Sequence, residues 1–530
     1  MRQPTSNAGF QPQALLAVLS KPTVLPFVVF AWLAGTAWLR PLSLPDEGRY
    51  VGVALEMMWS GNWLVPTLDT LPYFHKPPLF YWATAASLAT FGIHEWAARL
   101  ASLLAATGCA LGVFHFLRRW ASDAHAGVAL VVLATTPFFY GGAQFANLDM
   151  LVAACIAGTI LCAAHAVLAA NDGALPRPAL AAAYVLAALG LLAKGLIGIA
   201  IPGMVIGIWL LVIGRPRMIL RLVWLPGLAL FGLVALPWLL LMQARYPGFF
   251  GYFFLHHQFE RFASKGFNNP QPFWFAVAAF AAATLPWFVL LVGAVFRIGR
   301  PQTGGVPRQV QTLMWIWLVA TLIFFSIPKS KLIGYVLVAV PPFAALVADE
   351  LARAAGTEVR VRVWATRVAL LALLVCATIL AVIDRRDRNR DHTRELAARL
   401  GPLLSSPAEP VLVLHHYPFS LSFYLRHPQP LRIVEDWQES RVTQKDTWRR
   451  ELYEAAKFAP ARGKLLLLEP DAMRLLLTCS SRTVWLIVPS ARAVRLAQLP
   501  GLEHVAQVGG DGIWRKTPSS ASDPHPDCAP

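Results

Sequence analysis

Long apolar runs, interrupted at short intervals by arginines, prolines and isolated acids, set the pattern of this chain. Runs near 22–39, 98–117, 126–142, 150–170, 178–193, 195–213, 222–242, 273–296, 311–327, 332–348 and 364–383 are each roughly 17–23 residues, enough for a helix to cross a hydrocarbon core of about 30 Å. In lipid every backbone polar group must be satisfied within the element, so these runs predict helices. About eleven transmembrane helices follow. The apolar run 79–92 is too short to span comfortably and predicts an interfacial or re-entrant helix.

The pattern changes at Asp384. Beyond it, residues 410–417, 464–470 and 483–490 read as short buried strands and 469–479 as a helix, the rhythm of a small α/β domain. It carries no Gly-rich phosphate loop and no evident catalytic cluster. The chain therefore divides into a transmembrane domain, 1–383, whose first loop 40–78 is the place for chemistry, a soluble α/β domain, 384–518, and a disordered tail, 519–530.

Composition fits this division: 56% of the 530 residues are hydrophobic and 14% charged, against about 25% charged in soluble domains. The formal net charge is +17, but no basic patch is interleaved with exposed aromatics, so membrane lipids rather than nucleic acid are the expected anionic partners. If 79–92 does not cross, thirteen arginines (Arg118 and Arg119, Arg177, Arg215, Arg217 and Arg221, Arg297, Arg300 and Arg308, Arg353, Arg360, Arg362 and Arg367) fall in loops on one side. The positive-inside rule makes that side cytoplasmic, together with the N-terminus. Loop 40–78, the 144–149 turn, the turn at Lys194, loop 243–272, the 328–331 turn and the soluble domain then share the other face. Of six cysteines, Cys109, Cys155, Cys162 and Cys376 lie in apolar runs, while Cys479 and Cys528 could pair in an oxidising compartment.

The few polar residues near that face carry the candidate chemistry. Asp46 and Glu47 follow the first span, with Arg49 and Tyr50 just beyond; acids in the first turn of a helix explain them equally well as a carboxylate poised to act as general base. Tyr73, His75 and Lys76 precede the Pro77-Pro78 pair. Asp149 is an isolated acid in apolar surroundings, a functional candidate by default or a helix-capping residue beside Asn147. Lys194, Arg261, Lys331 and Tyr335 complete a ring of cations and phenols around the acids. Cations attract phosphate; a carboxylate activates a nucleophile. His256 and His257 are adjacent, so they point to different faces of a helix and make a poor metal pair.

Taken in order, PDEGRY, GNWLVPTLDTLPYFHKPPLFYW, FGIHEWAARL, QFANLD, LAKGLIGIAIPG, YFFLHHQFERF and SKLIGYVLVAVPPFAAL resemble the protein O-mannosyltransferase / aminoarabinose (4-amino-4-deoxy-L-arabinose) lipid A transferase family over about residues 22–350. The resemblance implies a polytopic GT-C membrane glycosyltransferase, inverting at the anomeric carbon, with a C-terminal periplasmic domain in the bacterial inner membrane. It implies a polyprenyl (undecaprenyl) phosphate-linked sugar donor and, as acceptor, lipid A or another cell-envelope glycoconjugate. Protein Ser/Thr hydroxyls are the alternative acceptor, and a lipid-linked-sugar flippase the alternative without chemistry. By motif, Asp46 resembles the catalytic carboxylate, with Glu47 beside it, and Asp149 the second acidic position. Arg49, Tyr50, Tyr73, Lys76, Lys194, Arg261 and Tyr335 resemble residues of the donor cavity, which Lys331 joins as a neighbouring cation. Aminoarabinose transferases usually carry Glu where this chain has His75, and their E-H-x-x-R-F reads His257-Gln258-Phe259-Glu260-Arg261-Phe262 here. Members with that Glu and His can hold a divalent metal. The ligand types are exchanged in this chain, so no cofactor follows from the resemblance, and a metal at His75 and His257 is left open. Between residue 350 and the soluble domain the chain has room for one helix where aminoarabinose transferases have three.

Overall fold

The computed structural model describes residues 21–518 except 22, 171–173, 261–268, 296–305, 355–366, 368–369, 372, 380, 387–391, 407 and 492–500. Helices dominate as far as residue 386. In chain order they are α1 (Leu25–Ala34), α2 (Asp46–Ser60), α3 (Leu79–Phe91), α4 (Glu95–Trp120), α5 (Asp123–Thr135), α6 (Pro137–Ala143), α7 (Leu148–Leu168) and α8 (Arg177–Lys194). There follow α9 (Ile197–Val212), α10 (Arg217–Leu222), α11 (Leu225–Arg245), a π-helix (Gly251–Glu260), α12 (Phe275–Ala283), α13 (Phe288–Val295), α14 (Arg308–Ser326), a 3-10 turn (Ile333–Ala339) and α15 (Val340–Ala354).

Among the described residues six helices are long and apolar enough to cross a bilayer by length and composition: α4, α7, α8, α11, α14 and the continuous stretch Ile333–Arg353; α5 and α6, bent by 68°, make a seventh if taken as one span. The protein is a multi-pass membrane protein. Breaks in the other expected spans have local causes. Pro137 opens α6 and cannot donate to the turn before it, and Pro286 lies between α12 and α13. Leu233, Leu236, Leu240 and Leu241 of α11 are all exposed, as a lipid-facing surface requires. The run at 79–92 is α3, a 13-residue helix packed between α2 and α4.

Helix ends are placed by side chains. Ser122 caps α5 by accepting from the His125 amide. Asn147 caps α7 by accepting from the Asp149 amide at 2.9 Å. Gly195, at φ 94°, stops α8 immediately after Lys194. Each of these stops leaves a charged residue at the helix end.

The soluble domain is a six-stranded mixed sheet, β3 (Val411–Leu414), β4 (Arg432–Val434), β5 (Leu467–Leu468), β6 (Val484–Pro489), β7 (Leu502–Val508) and β8 (Asp511–Lys516), in the order β5-β4-β3-β6-β8-β7. β3 pairs in parallel with β4 and β6, and β8 runs antiparallel to both β6 and β7. β1 (Thr67–Leu68) and β2 (Leu71–Pro72) form a separate hairpin in the first loop. Helices α16 (Thr393–Leu400), α17 (Leu421–Leu425), α18 (Ser440–Gln444), α19 (Trp448–Lys457), α20 (Pro460–Leu466) and α21 (Pro470–Cys479) complete the layer. Of the expected strand at 464–470, residues 464–466 form the end of α20, with Pro460 preset for its first turn, and only Leu467–Leu468 pair in the sheet. The β7–β8 hairpin, turning at Gly509-Gly510, escaped the periodicity because its strands alternate weakly. Cys479 is disulfide-bonded, and Cys109, Cys155, Cys162 and Cys376 are free thiols. Residues 519–530 lie outside the described residues.

The sheet domain sits directly on the first loop. Phe419, Phe423, Ile433, Trp437 and Leu452 share one apolar cluster with Leu42, Val51, Leu55 and Leu71. Gly48 allows the contact: a Cβ there would stand 3.0 Å from the Phe419 Cβ and 3.1 Å from the Ser420 amide. The Leu42 amide donates to the Tyr424 hydroxyl at 2.8 Å, and the Leu431 amide to Asp69 at 2.7 Å. Asp69 is itself set by Glu56, which accepts from the amides of Asp69 and Thr70 and from the Thr67 hydroxyl.

Candidate active site

Asp46 and Glu47 are neighbours in sequence, but adjacent residues of a helix face about 100° apart, and α2 sends them to different places. Glu47 is fully buried beneath the helix. It ion-pairs with Arg40 and Arg99, the latter at 2.9 Å, and accepts from the amides of Ser43 and Ala146, both at 2.8 Å. Arg99 in turn donates to the carbonyls of Ala37, Arg40 and Pro41. Burial alone would raise the Glu47 carboxyl; the two guanidiniums more than reverse this and hold it at about 2. Glu47 does not line the cavity described below. It is the keystone joining the 37–47 segment to α4 and to the 144–146 turn.

Asp46 faces the other way, into a polar cavity of about 380 Å³ where the helical body meets the sheet domain. Its carboxylate is 46% exposed and lies 3.9 Å from Arg49, one turn on. The Arg49 guanidinium donates to Glu451 of α19 at 2.8 Å and lies over the Phe419 ring at 5.0 Å. Burial would lower the Arg49 pKa, but Glu451, Tyr73, Tyr50 and Asp46 carry it above its ordinary value. Tyr50 and Tyr73 are buried phenols on the same wall; burial first, then the neighbouring carboxylates, raise both.

The β1–β2 hairpin delivers the next wall. Tyr73 stacks on His75 with ring centroids 4.8 Å apart, and Lys76, half-buried, follows into the cavity. From the opposite side come the ends of α7 and α8. Lys194 ion-pairs with Asp149, whose other oxygen accepts from the Asn147 amide nitrogen at 3.1 Å. Lys194 also lies over the Tyr335 ring at 4.8 Å. Gly334 makes this possible: a Cβ there would fall on the Asp149 carboxylate, within 2.8 Å of its Cγ.

The structure thus brings Asp46, Arg49, Tyr50, Tyr73, His75, Lys76, Asp149, Lys194 and Tyr335 to one cavity. Lys331 is not among its lining residues. Its Nζ donates to the Gln271 carbonyl at 2.9 Å, and its amide to the Asn269 carbonyl, pinning 269–271, of which Asn269 lines the cavity, to 329–331. Arg261 lies outside the described residues. His257 belongs to the π-helix, and its side chain is likewise not described. His75 meets the Tyr252 hydroxyl at 2.9 Å through Nε2, and among the described residues no three metal-ligating side chains come together. The described residues do not make a metal site.

The soluble domain was expected to hold no catalytic cluster, yet Asp446, Thr447, Trp448 and Glu451 line the same cavity. The local signal was the segment 448–457, a strongly amphipathic charged helix; what it faces is set by tertiary contact alone. A larger, apolar cavity of about 760 Å³ between α4, α7 and α8 has no carboxylate in its lining. The polar cavity is the candidate site: carboxylates and fixed cations, partly desolvated, at one end of a membrane-embedded bundle.

This architecture is the GT-C fold. It matches the crystal structure of ArnT from Cupriavidus metallidurans bound to undecaprenyl phosphate with a TM-score of 0.78, covering 97% of this chain and 100% of that one at 22% identity. The apo structure of the same protein matches with a TM-score of 0.75. In sequence, residues 75–241 match the dolichyl-phosphate-mannose-protein mannosyltransferase family. The undecaprenyl phosphate-alpha-4-amino-4-deoxy-L-arabinose arabinosyl transferase of Aeromonas hydrophila is 32% identical over 355 residues, 65% of this chain and 62% of that protein. Its namesake in Aeromonas salmonicida is 33% identical over 362 residues, again 65% and 62%. The chain spans less than two thirds of the length of these relatives. The family resemblance carried by the motifs holds.

Proposed function

We propose that this protein is a glycosyltransferase of the inner membrane that takes a sugar from a polyprenyl (undecaprenyl) phosphate and passes it to lipid A or another cell-envelope acceptor at the periplasmic face. The observation that carries the reading is the cavity's pairing of carboxylates with cations. Asp46 stands beside Arg49, and Asp149 beside Lys194, with Lys76 lining the same cavity. The leaving group of such a transfer is a lipid phosphate, and donors already aimed at developing charge stabilise it without reorganisation. Arg49, Lys76 and Lys194 are the donors proposed for that phosphate. Asp46, the more exposed carboxylate, is proposed to activate a hydroxyl acceptor, or to support positive character at the anomeric carbon when the acceptor is a phosphate. Asp149 orients Lys194. The names of the relatives and the undecaprenyl phosphate bound in the matched crystal structure support the donor class.

The arginine-rich loops support a cytoplasmic N-terminus with the cavity and sheet domain in the periplasm. The disulfide at Cys479 agrees, because such bonds persist in oxidising compartments. The test is reconstitution of the full chain in vesicles with a radiolabelled polyprenyl-phosphate sugar and either lipid A or a Ser/Thr-containing acceptor. Transfer to lipid A, lowered in Asp46→Asn by about 10²–10⁴-fold, is expected. Undiminished transfer in that variant removes Asp46 from the mechanism, and label recovered only on protein moves the acceptor class. Movement of intact donor across the bilayer without sugar release would make the protein a flippase.

A further inference from the structure

Three segments remote in sequence meet at one phenol. The Tyr252 hydroxyl, on the π-helix, is 2.9 Å from His75 Nε2 in the first loop and 3.0 Å from Glu454 Oε2 on α19 of the soluble domain. The directions of these bonds follow from counting protons. A phenol carries one proton and two lone pairs, and an ionised carboxylate can only accept. Glu454 is also held by Arg450, whose Nε donates to its other oxygen at 2.7 Å. The Tyr252 proton therefore goes to Glu454, and the phenol oxygen is left to accept. His75 must then supply the proton between them from Nε2. One half-buried carboxylate thus selects, through one tyrosine, the tautomer of a histidine on the cavity wall.

The rest of the wall hangs on that ring. Tyr73 lies flat on it, at an interplanar angle of 10°, and Lys76 is its neighbour in the chain. Tyr252 also packs edge-on against Phe458, just beyond α19, at 5.3 Å. We propose that Glu454 and Tyr252 are positioning residues that fix His75 as the Nε2-protonated tautomer and thereby set the Tyr73–Lys76 wall against the donor phosphate. The proposal extends the reading of the cavity as a donor site and rests on it for its kinetic part only.

The experiment uses the full chain in lipid nanodiscs, labelled with ¹⁵N-histidine, with the His75 signal assigned by its loss in His75→Gln. The wild type is expected to show the Nε2-protonated form. Tyr252→Phe, which removes one oxygen and keeps the ring, is expected to abolish that signature and to raise the KM for a polyprenyl-phosphate sugar about tenfold while kcat stays within about twofold, the loss of roughly one hydrogen bond to a fixed group. Glu454→Gln leaves one accepting oxygen for two donors, Arg450 and Tyr252, and Glu454→Ala leaves none, so both are expected to lose the tautomer signature and to raise KM. A merely structural clamp would lower stability in Tyr252→Phe and leave the tautomer alone. An Nδ1-protonated ring in the wild type, or a tautomer indifferent to Tyr252→Phe, overturns the proposal. Should the wild type transfer no sugar from any polyprenyl-phosphate donor, the donor-site reading fails, and the tautomer signature still decides this one.

Discussion

Replacing Glu47 by Gln tests the division of labour between two adjacent acids. The substitution keeps the shape of the side chain and removes its charge from between two guanidiniums, Arg99 fully buried and Arg40 nearly so. The gap between a carboxyl at about 2 in the fold and about 4.3 in an unfolded chain corresponds to about 3 kcal/mol. Leaving two buried cations without their partner costs about 3–5 kcal/mol by comparison with broken buried ion pairs, so the two routes agree. Because the folded pKa is depressed, this contribution is complete above pH about 4.3 and lost as pH falls toward about 2. A thiol-reactive fluorogenic dye is a suitable reporter, since Cys109, Cys155 and Cys376 are buried free thiols that react only when the bundle opens. Glu47→Gln is expected to react at a clearly lower temperature than the wild type, while sugar transfer per folded molecule falls far less than in Asp46→Asn. A second substitution, Arg99→Met, should restore part of the loss by removing one orphaned charge. A Glu47→Gln protein that melts like the wild type but has lost transfer would refute the structural role and return Glu47 to the catalytic set.

Other expectations are simpler. Lys76→Ala should weaken binding of a polyprenyl phosphate about tenfold or more, read by titration of the purified chain, because it removes a charge-assisted contact worth roughly 1.5–3 kcal/mol; unchanged affinity would exclude Lys76 from the phosphate site. Gly334→Ala should reduce transfer while leaving the dye-reported melting near that of the wild type, since its Cβ must push the Asp149 carboxylate away from Lys194. Extended chelation should leave the rate unchanged, because His75 is engaged with Tyr252 and the described residues gather no metal-ligand set; a rate restored only by added divalent metal would contradict this.

Much of the site was legible because lone charges in an apolar sequence are conspicuous. Asp149 and Lys194 stand out for that reason, Asp46 as part of a charged segment after the first apolar run, and all three line the cavity. Glu47 was grouped with Asp46 by adjacency, which on a helix separates side chains instead of uniting them. Lys331 was grouped by charge, but its ammonium donates to the Gln271 carbonyl and is not among the cavity's lining residues. Asp446, Glu451 and Glu454 could not be found from sequence at all, because nothing local distinguishes a charged helix that faces water from one that faces a cavity. Six of the expected runs reappear as helices long enough to span, among the described residues; where prolines break a run into bent or short pieces, run length alone says nothing of the bend.

The ion pair between Arg49 and Glu451 joins residues 402 positions apart. On a chain made from its N-terminus at about 5–20 residues per second, the first loop leaves the membrane roughly 20–80 seconds before its partner exists. During synthesis the loop's cations can meet lipid phosphates, yet the pocket has no far wall. Every product truncated before α19 therefore carries the first loop with its cations but lacks the Glu451 wall that closes the pocket.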